Sequence, residues 1–212
     1  MQVEFGHFPE RSMRSEYIAR RFKSHLKGKL LDVGCDRALL KTLIPGIDYF
    51  GVDVGGQPDL ILNLEEIDEL PFATDQFDCL VCADVLEHLD NLHFVFGELV
   101  RVCRGSLILS LPNNWANARR AVERGRGTIG HYGLPVQRPV DRHKWFFNLE
   151  EAIQFMDGQP QKFSIKVEEC FAMERPRPLL LRWARLMLLG GHQMRYLNRF
   201  AHTMWTVLRK TS

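Results

Sequence analysis

The feature that most constrains this chain is a series of short apolar runs that stop at or just before a glycine, an acid or a proline. Leu30-Leu31-Asp32-Val33-Gly34 ends on glycine and Tyr49-Phe50-Gly51-Val52-Asp53 on a carboxylate. Phe77 to Cys82 is followed by Asp84, and Ser106 to Leu111 stops at Pro112-Asn113-Asn114. Runs this short and this apolar read as strands buried on both faces. Helical text lies between them, over 38–43 and 85–103. The alternation predicts an α/β fold with a doubly wound, mostly parallel sheet. A helix is also predicted over 12–27, a strand over 59–64, a helix from Asn148 with that residue as its cap, a strand over 163–171, and two closing helices over 179–189 and 192–209. Only Val54 to Pro58 links the second and third strands. A parallel crossover usually takes about a dozen residues or more, so the helix customary there is expected to be missing.

In open α/β sheets ligands bind beyond the carboxyl ends of the strands. Those ends carry Asp32, Gly34, Asp53, Asn63 and, just past the fourth strand, Asp84. Glycine at 34 lets the backbone turn tightly beside a ligand. An acid at the end of the second strand is placed to accept both hydroxyls of a ribose. A dinucleotide fingerprint would need glycine at 34, 36 and 39, whereas this chain has Gly34, Asp36 and Leu39.

Leu30 to Cys35 resembles motif I of the class I S-adenosylmethionine-dependent methyltransferases, and Tyr49 to Asp53 resembles their second motif. Leu70-Pro71-Phe72, Phe77-Asp78 and Val85-Leu86-Glu87-His88 are similar to the LPF, FD and VLEH elements of the type-11 subgroup. Glu98 to Val102 and Leu109 to Asn113 continue the series, so the resemblance covers about residues 28–114. It implies a Rossmann-like methyltransferase fold with S-adenosyl-L-methionine as cofactor. Asp32, Gly34, Cys35 and Asp36 would approach its methionine part, and Asp53 would take the ribose hydroxyls. Asn63 and Leu64 would border the adenine, while Ala83 and Asp84 would close the methionine side. Asp36 and Ala38 stand where motif I normally has glycines.

Residues expected near the methyl acceptor come from the irregular 115–142 stretch and the segment after it: His131, Tyr132 and His143 as catalytic candidates, with Asp141, Lys144 and Trp145 beside them. Asp84 and Glu87 have the spacing of a helix capping box, and His88 reads as a packed or surface histidine. Cys79-Leu80-Val81-Cys82 spells CxxC inside a strand, where alternate side chains face opposite ways. No metal-ligand set is read from the sequence.

Charge divides the chain. All 26 acidic residues lie at or before Glu174, while 175–212 carries eight Lys and Arg. The expected organisation is a methyltransferase domain over 1–174, with a lid or acceptor loop at about 115–142, and a basic amphipathic helical extension over 175–212. Met194, Leu197, Phe200, Met204 and Leu208 fall on one helical face. Such a face suits an anionic membrane surface, the enzyme body or a second copy of the chain as a homodimer partner. Nucleic acid is not an expected partner, because the body is acidic and shows no RNA-binding module. Five cysteines without framework spacing, and no apolar signal-peptide core, point to the cytoplasm, with the extension peripheral at a membrane's inner face. The expected acceptor is a small molecule or a lipid- or glycan-linked group. The alternative is a degenerate methyltransferase fold serving as a scaffold, prompted by the missing motif I glycines.

Overall fold

The structure is a computed structural model that describes residues 1–137, 139 and 141–211. Its elements in chain order begin with β1 (Gln2–Phe5), α1 (Arg11–Arg21), β2 (Lys29–Val33), α2 (Leu39–Leu43), β3 (Asp48–Asp53) and β4 (Leu60–Ile61). They continue with β5 (Phe77–Ala83), a 3₁₀ turn over Leu86–His88, α3 (Leu92–Val102), β6 (Cys103–Pro112) and α4 (Asn114–Arg124). The chain closes with α5 (Leu149–Gly158), β7 (Ile165–Glu174), α6 (Leu179–Leu188), α7 (Gln193–Phe200) and β8 (Ala201–Lys210).

The strands form one sheet in the order β1-β7-β8-β6-β5-β2-β3-β4. Only β8 runs antiparallel to its neighbours, β6 and β7; every other pairing is parallel. Helices cover both faces. One core joins the sheet to α3, α5 and α7 through Phe96, Leu99, Met156 and Leu197; the other joins it to α1 and α2 through Tyr17, Ile18, Phe22 and Leu40. Cys82 belongs to the first core and Cys79 to the second, so the CxxC pair is split across the sheet.

The predicted helix over 192–209 ends at Phe200; residues 201–210 are the reversed strand β8, inside the sheet. Met194, Leu197 and Phe200 do fall within a helix. Beyond them Thr203, Trp205, Thr206 and Val207 supply the β-branched and aromatic residues that favour a strand. Residues 203–208 are buried on both faces, with Met204 and Leu208 in one core and Trp205 and Val207 in the other. A strand buried on both sides shows no alternation, so Met204 and Leu208 continued the helical period of the residues before them by coincidence. The helix expected over 12–27 also stops early, at Arg21, and the helix expected over 85–103 is split by the turn at Leu89–Asn91.

Asn148 caps α5 as expected, in a full capping box with Glu151. No helix intervenes between β3 and β4, which pair through only Val52–Leu60 and Asp53–Ile61. The Glu98-to-Val102 motif is structural. Glu98 accepts from the Leu70 amide at 2.7 Å and from Arg101, which donates to the carbonyls of Leu70 and Phe72. That clamp fixes the Leu70-Pro71-Phe72 segment against α3.

Candidate active site

The carboxyl ends of β2, β3 and β5 border a cavity of about 390 Å³. Gly34, Asp36, Asp53, Asn63, Leu64, Ala83 and Asp84 all line it. Gly34 has φ +78°, and a Cβ there would lie 2.4 Å from Val85 Cγ2. The turn can therefore come this close only without a side chain at 34. Asp53 ends β3 and organises the turn opposite it. Its Oδ2 accepts from the Asp36 amide at 2.8 Å and its Oδ1 from the Val54 amide at 2.7 Å. The Gly55 amide also reaches Oδ1, at 3.4 Å; with about four acceptor sites on a carboxylate, it is Oδ2 that keeps capacity for a hydroxyl donor from the cavity. Asp36 and Ala38 keep the left-handed conformation a glycine would favour, at φ +48° and +53°.

Asp32 and Cys35 are placed behind the cavity wall rather than on it. Asp32 is buried and accepts from the Tyr49 hydroxyl at 2.8 Å. Burial pushes its carboxyl up to about 7, with the Tyr49 bond opposing. Cys35 packs where a Cβ on Gly51 would lie 2.8 Å from its Sγ, and burial pushes its thiol up to about 12.

A second cavity of about 360 Å³ adjoins the first. Both are lined by Arg11, Arg14, Asp84, His88 and Asp141. Asp84, at φ +53°, accepts from Arg14 at 2.5 Å and from Ser110 Oγ at 2.6 Å. It caps no helix, because the chain beyond it makes only the 3₁₀ turn, and that turn has no side-chain cap. Glu87 is fully buried, and neither of its carboxylate oxygens has a hydrogen-bond partner among the described residues.

His131 and His143 also line the second cavity. Their rings stack at 4.3 Å, and His88 stands edge-on to His143 at 4.5 Å. Burial pushes the His143 imidazole down to about 4, and the neighbouring His88 and His131 add to the shift. Its Nδ1 lies 3.2 Å from Asn114 Oδ1. Tyr132 stands edge-on to the His143 ring and donates its hydroxyl to the Trp145 carbonyl. Lys144 and Trp145 turn away to fasten the segment: Lys144 pairs with Asp90 at 2.6 Å, and Trp145 Nε1 donates to the Leu89 carbonyl at 2.7 Å.

Sequence reasoning missed Arg14, Glu87 and Asn114. Arg14 sits on α1, far from any motif. Asn114 read as a strand terminator, and Glu87 as the partner of a cap. The adjacency of Glu87 and His88 was the visible signal, but their relation to His143 appears only when the chain folds.

A family model described as a methyltransferase domain matches residues 5–158. No curated protein matches the chain. Solved structures do. Small RNA methyltransferase HEN1 aligns with TM-score 0.58 and 19% identity over 100% of this chain, which spans 26% of the length of that one. The 1,6-didemethyltoxoflavin-N1-methyltransferase of Burkholderia thailandensis, solved with its acceptor and S-adenosylhomocysteine, aligns with TM-score 0.55 and 15% identity, covering 96% of this chain and 80% of that one. A SAM-dependent methyltransferase from Archaeoglobus fulgidus gives TM-score 0.53 and 14% identity, with 94% of each chain covered. At such identities the likeness is one of fold.

Proposed function

The chain belongs to the methyltransferase-domain family and is an S-adenosylmethionine-dependent methyltransferase; from that premise we propose that its acceptor is a small molecule or a lipid- or glycan-linked group held in the histidine-lined cavity. The observation that carries this reading is the pair of adjoining cavities that share the Arg14–Asp84 ion pair.

The first cavity fits the cofactor. Its volume lies in the ~300–1,000 Å³ range of small-molecule sites. Its tight turn at Gly34 has no room for a side chain, and Asp53 stands opposite with acceptor capacity left. Asp53 would hold the ribose hydroxyls, Asn63 and Leu64 the adenine edge, and Gly34 with Asp36 the methionine part; Ala83 and Asp84 close the near side. S-adenosylmethionine, when bound, supplies a methyl group already activated on a sulfonium. What remains for the protein is to align an acceptor and exclude water. His131, half-exposed with Nδ1 3.4 Å from Asp141 Oδ2, is placed to take a proton from an acceptor that carries one. His143 walls the same space, and Tyr132 stands behind it, edge-on to the His143 ring rather than on the cavity wall. The scaffold alternative gains no support, because the hollow is open where the missing glycines would have mattered.

Two further features favour an anionic, lipid-linked acceptor. Arg175 and His202 connect the second cavity to a cleft of about 110 Å³ lined also by Arg119, Arg120, Arg177 and Arg199. Burial, with Arg185 close by, holds the Arg177 guanidinium below its usual range. An anionic group would relieve that crowding. α6 is turned inside out. Arg182 reaches Glu174 and Arg185 lies over Phe200, while Leu179, Leu180, Trp183 and Leu188 are 60–85% exposed. An apolar face of that kind suits a membrane interface. No helix among the described residues is long and apolar enough to cross a membrane. None of the five cysteines is paired, which fits the cytoplasmic side.

Calorimetric titration with S-adenosylmethionine tests the first half. Asp53→Ala should weaken binding at least about tenfold, roughly 1.4 kcal/mol, without unfolding the protein; unchanged affinity removes the ribose assignment. Methyl-labelled cofactor incubated with separated cell fractions tests the second. Label should enter organic-soluble or glycan material, and label in nucleic acid would overturn the reading. Co-sedimentation with anionic vesicles should be lost in Leu180→Glu/Trp183→Glu; equal partitioning of both proteins refutes a membrane role.

A further inference from the structure

Glu87, His88 and His143 form an arrangement that methyl transfer alone does not explain. Glu87 is placed by the 3₁₀ turn with its carboxylate fully buried and both oxygens without a hydrogen-bond partner among the described residues. Buried polar groups are nearly always satisfied, and a buried carboxylate least tolerates being left alone. The atoms facing it are His88 Nε2 at 3.7 Å and His143 Nε2 at 4.0 Å from Oε1. Both separations are too long for hydrogen bonds. They suit two ligands on one ion. With metal–ligand bonds of about 2.0–2.2 Å, ligand atoms lie roughly 3–4.3 Å apart. One donor atom from each of the three residues falls within 4.8 Å of the others, so a small inward movement closes the set.

The far sides of both imidazoles are already held. His88 Nδ1 lies 2.9 Å from Asp141 Oδ1 and 3.3 Å from the Arg142 carbonyl. His143 Nδ1 lies 3.2 Å from Asn114 Oδ1. Each neighbour is an acceptor, which assigns the ring proton to Nδ1 and leaves the Nε2 lone pair aimed at Glu87. Metal-binding histidines are characteristically oriented in this way, by a carboxylate, carbonyl or amide on the other nitrogen.

We propose that Glu87, His88 and His143 bind a divalent first-row transition-metal ion at the floor of the second cavity. Two imidazoles and one carboxylate suit zinc, manganese or iron better than magnesium or calcium, which prefer all-oxygen sets. All three residues line the cavity, so the ion keeps a face open toward it. An acceptor hydroxyl would take that position; the charge would loosen its proton, which His131 on the same cavity wall would accept as the oxygen–methyl bond forms and the sulfonium–methyl bond breaks. This use of the ion rests on the methyltransferase reading and makes the acceptor atom an oxygen; the ion site itself stands independently of it.

The test uses the full chain, stripped by chelator and titrated calorimetrically with Zn²⁺ and with Mn²⁺, with Co²⁺ absorption as the coordination signature. One ion per chain should bind, with a d–d spectrum of a low-coordinate site. Glu87→Gln and His143→Ala should each weaken binding about 100-fold or more and lose that spectrum. Asn114→Ala, which removes only the acceptor behind His143, should weaken it about tenfold or more. S-adenosylmethionine titration of the same samples reports folding and the first cavity separately. No metal uptake by wild type, or equal uptake by wild type and Glu87→Gln, overturns the site. If Glu87→Gln fails to bind cofactor, Asn114→Ala decides by itself. Metal uptake without cofactor binding in wild type would instead sink the methyltransferase reading and leave the metal site standing.

Discussion

The two adjoining cavities are built in different ways. Most of the first is contributed by the ends of β2, β3 and β5 and the loops that leave them, with α1 and Asp141 closing one side. The second draws on the loop before α1, the 3₁₀ turn, the start of α4, His131, Asp141 and His143, and the residues around β8. One is a property of a parallel sheet: strand ends converge, and each end carries a residue that suits a ligand. The other is an encounter of side chains far apart in sequence, held by contacts such as Lys144 N–H to the Glu87 carbonyl at 2.8 Å and Asn114 N–H to the Phe147 carbonyl at 3.2 Å. A cofactor pocket of the first kind leaves a pattern in the chain. An acceptor pocket of the second kind leaves only residue types.

The sharpest way to break this comparison is pH, because the groups beside the two cavities have opposite signs. Behind the first, burial raises Asp32 from 3.8 to about 7. The native state then holds a proton that the unfolded chain releases. The contribution is fully present below 3.8 and is lost as pH rises through about 7. Beside the second, His202 is pushed from 6.5 down to about 4 by burial first, then by Arg175 and His7, with Asp84 opposing and Arg177 adding. The unfolded chain takes up the proton first, so this contribution is present above 6.5 and is lost as pH falls toward about 4. Urea midpoints across the acidic to neutral range read both. Asp32→Asn should remove the loss that runs from 3.8 up to about 7, whose steepest slope is about 1.4 kcal/mol per pH unit. His202→Gln should flatten the acid arm instead. Variants that change the profile in the same direction would show that the two sites are not electrostatically separate.

Gly56 sharpens the comparison from the first cavity's side. It has φ +82°, and a Cβ there would lie 2.2 Å from the Asp36 carbonyl oxygen. The same carbonyl accepts from the Gln57 amide at 2.6 Å, so the two turns that frame the cofactor cavity press backbone to backbone. Gly56→Ala should cost about 2 kcal/mol of stability and weaken cofactor binding, while Zn²⁺ uptake by the folded fraction stays unchanged. Chemical denaturation and the two titrations measure these outcomes together. Loss of metal uptake in the folded protein would mean that the two cavities are coupled through the residues they share, His88 and Asp141 among them.

What the sequence revealed follows the same division. β2, β3, β5 and β6 were legible because a parallel strand buried on both faces is an apolar run with an abrupt end, and Asp53 and Gly34 were legible because such ends face ligands. β1 was not, since its four residues carry no such run. β8 was misread because burial on both faces removes the alternation that would have opposed a helical period. Arg14, Glu87 and Asn114 escaped because their meaning lies in distances to Asp84, His88 and His143. The basic extension was half legible. Arg209 reaches Glu168 and Lys210 reaches Asp75, so its end docks on the acidic body, while α6 keeps its apolar face outward.

The smallest effect concerns Ala38, which holds φ +53° at the start of α2, where the resemblance expects glycine. Left-handed geometry costs an alanine roughly 1–2 kcal/mol. Glycine removes that strain but adds about 0.5–1 kcal/mol of unfolded-state entropy, and it gives up a buried methyl worth up to ~0.8 kcal/mol. Ala38→Gly should therefore shift stability by between about 0.8 kcal/mol of loss and about 1.5 kcal/mol of gain, with cofactor affinity equal to or above wild type. If the variant binds cofactor more weakly, the methyl is part of the cavity's support rather than a strained substitute, and the turn after β2 is held by packing instead of by local backbone preference. Urea denaturation with and without saturating S-adenosylmethionine distinguishes the two, because only a change in the cofactor-bound increment reports on the cavity itself.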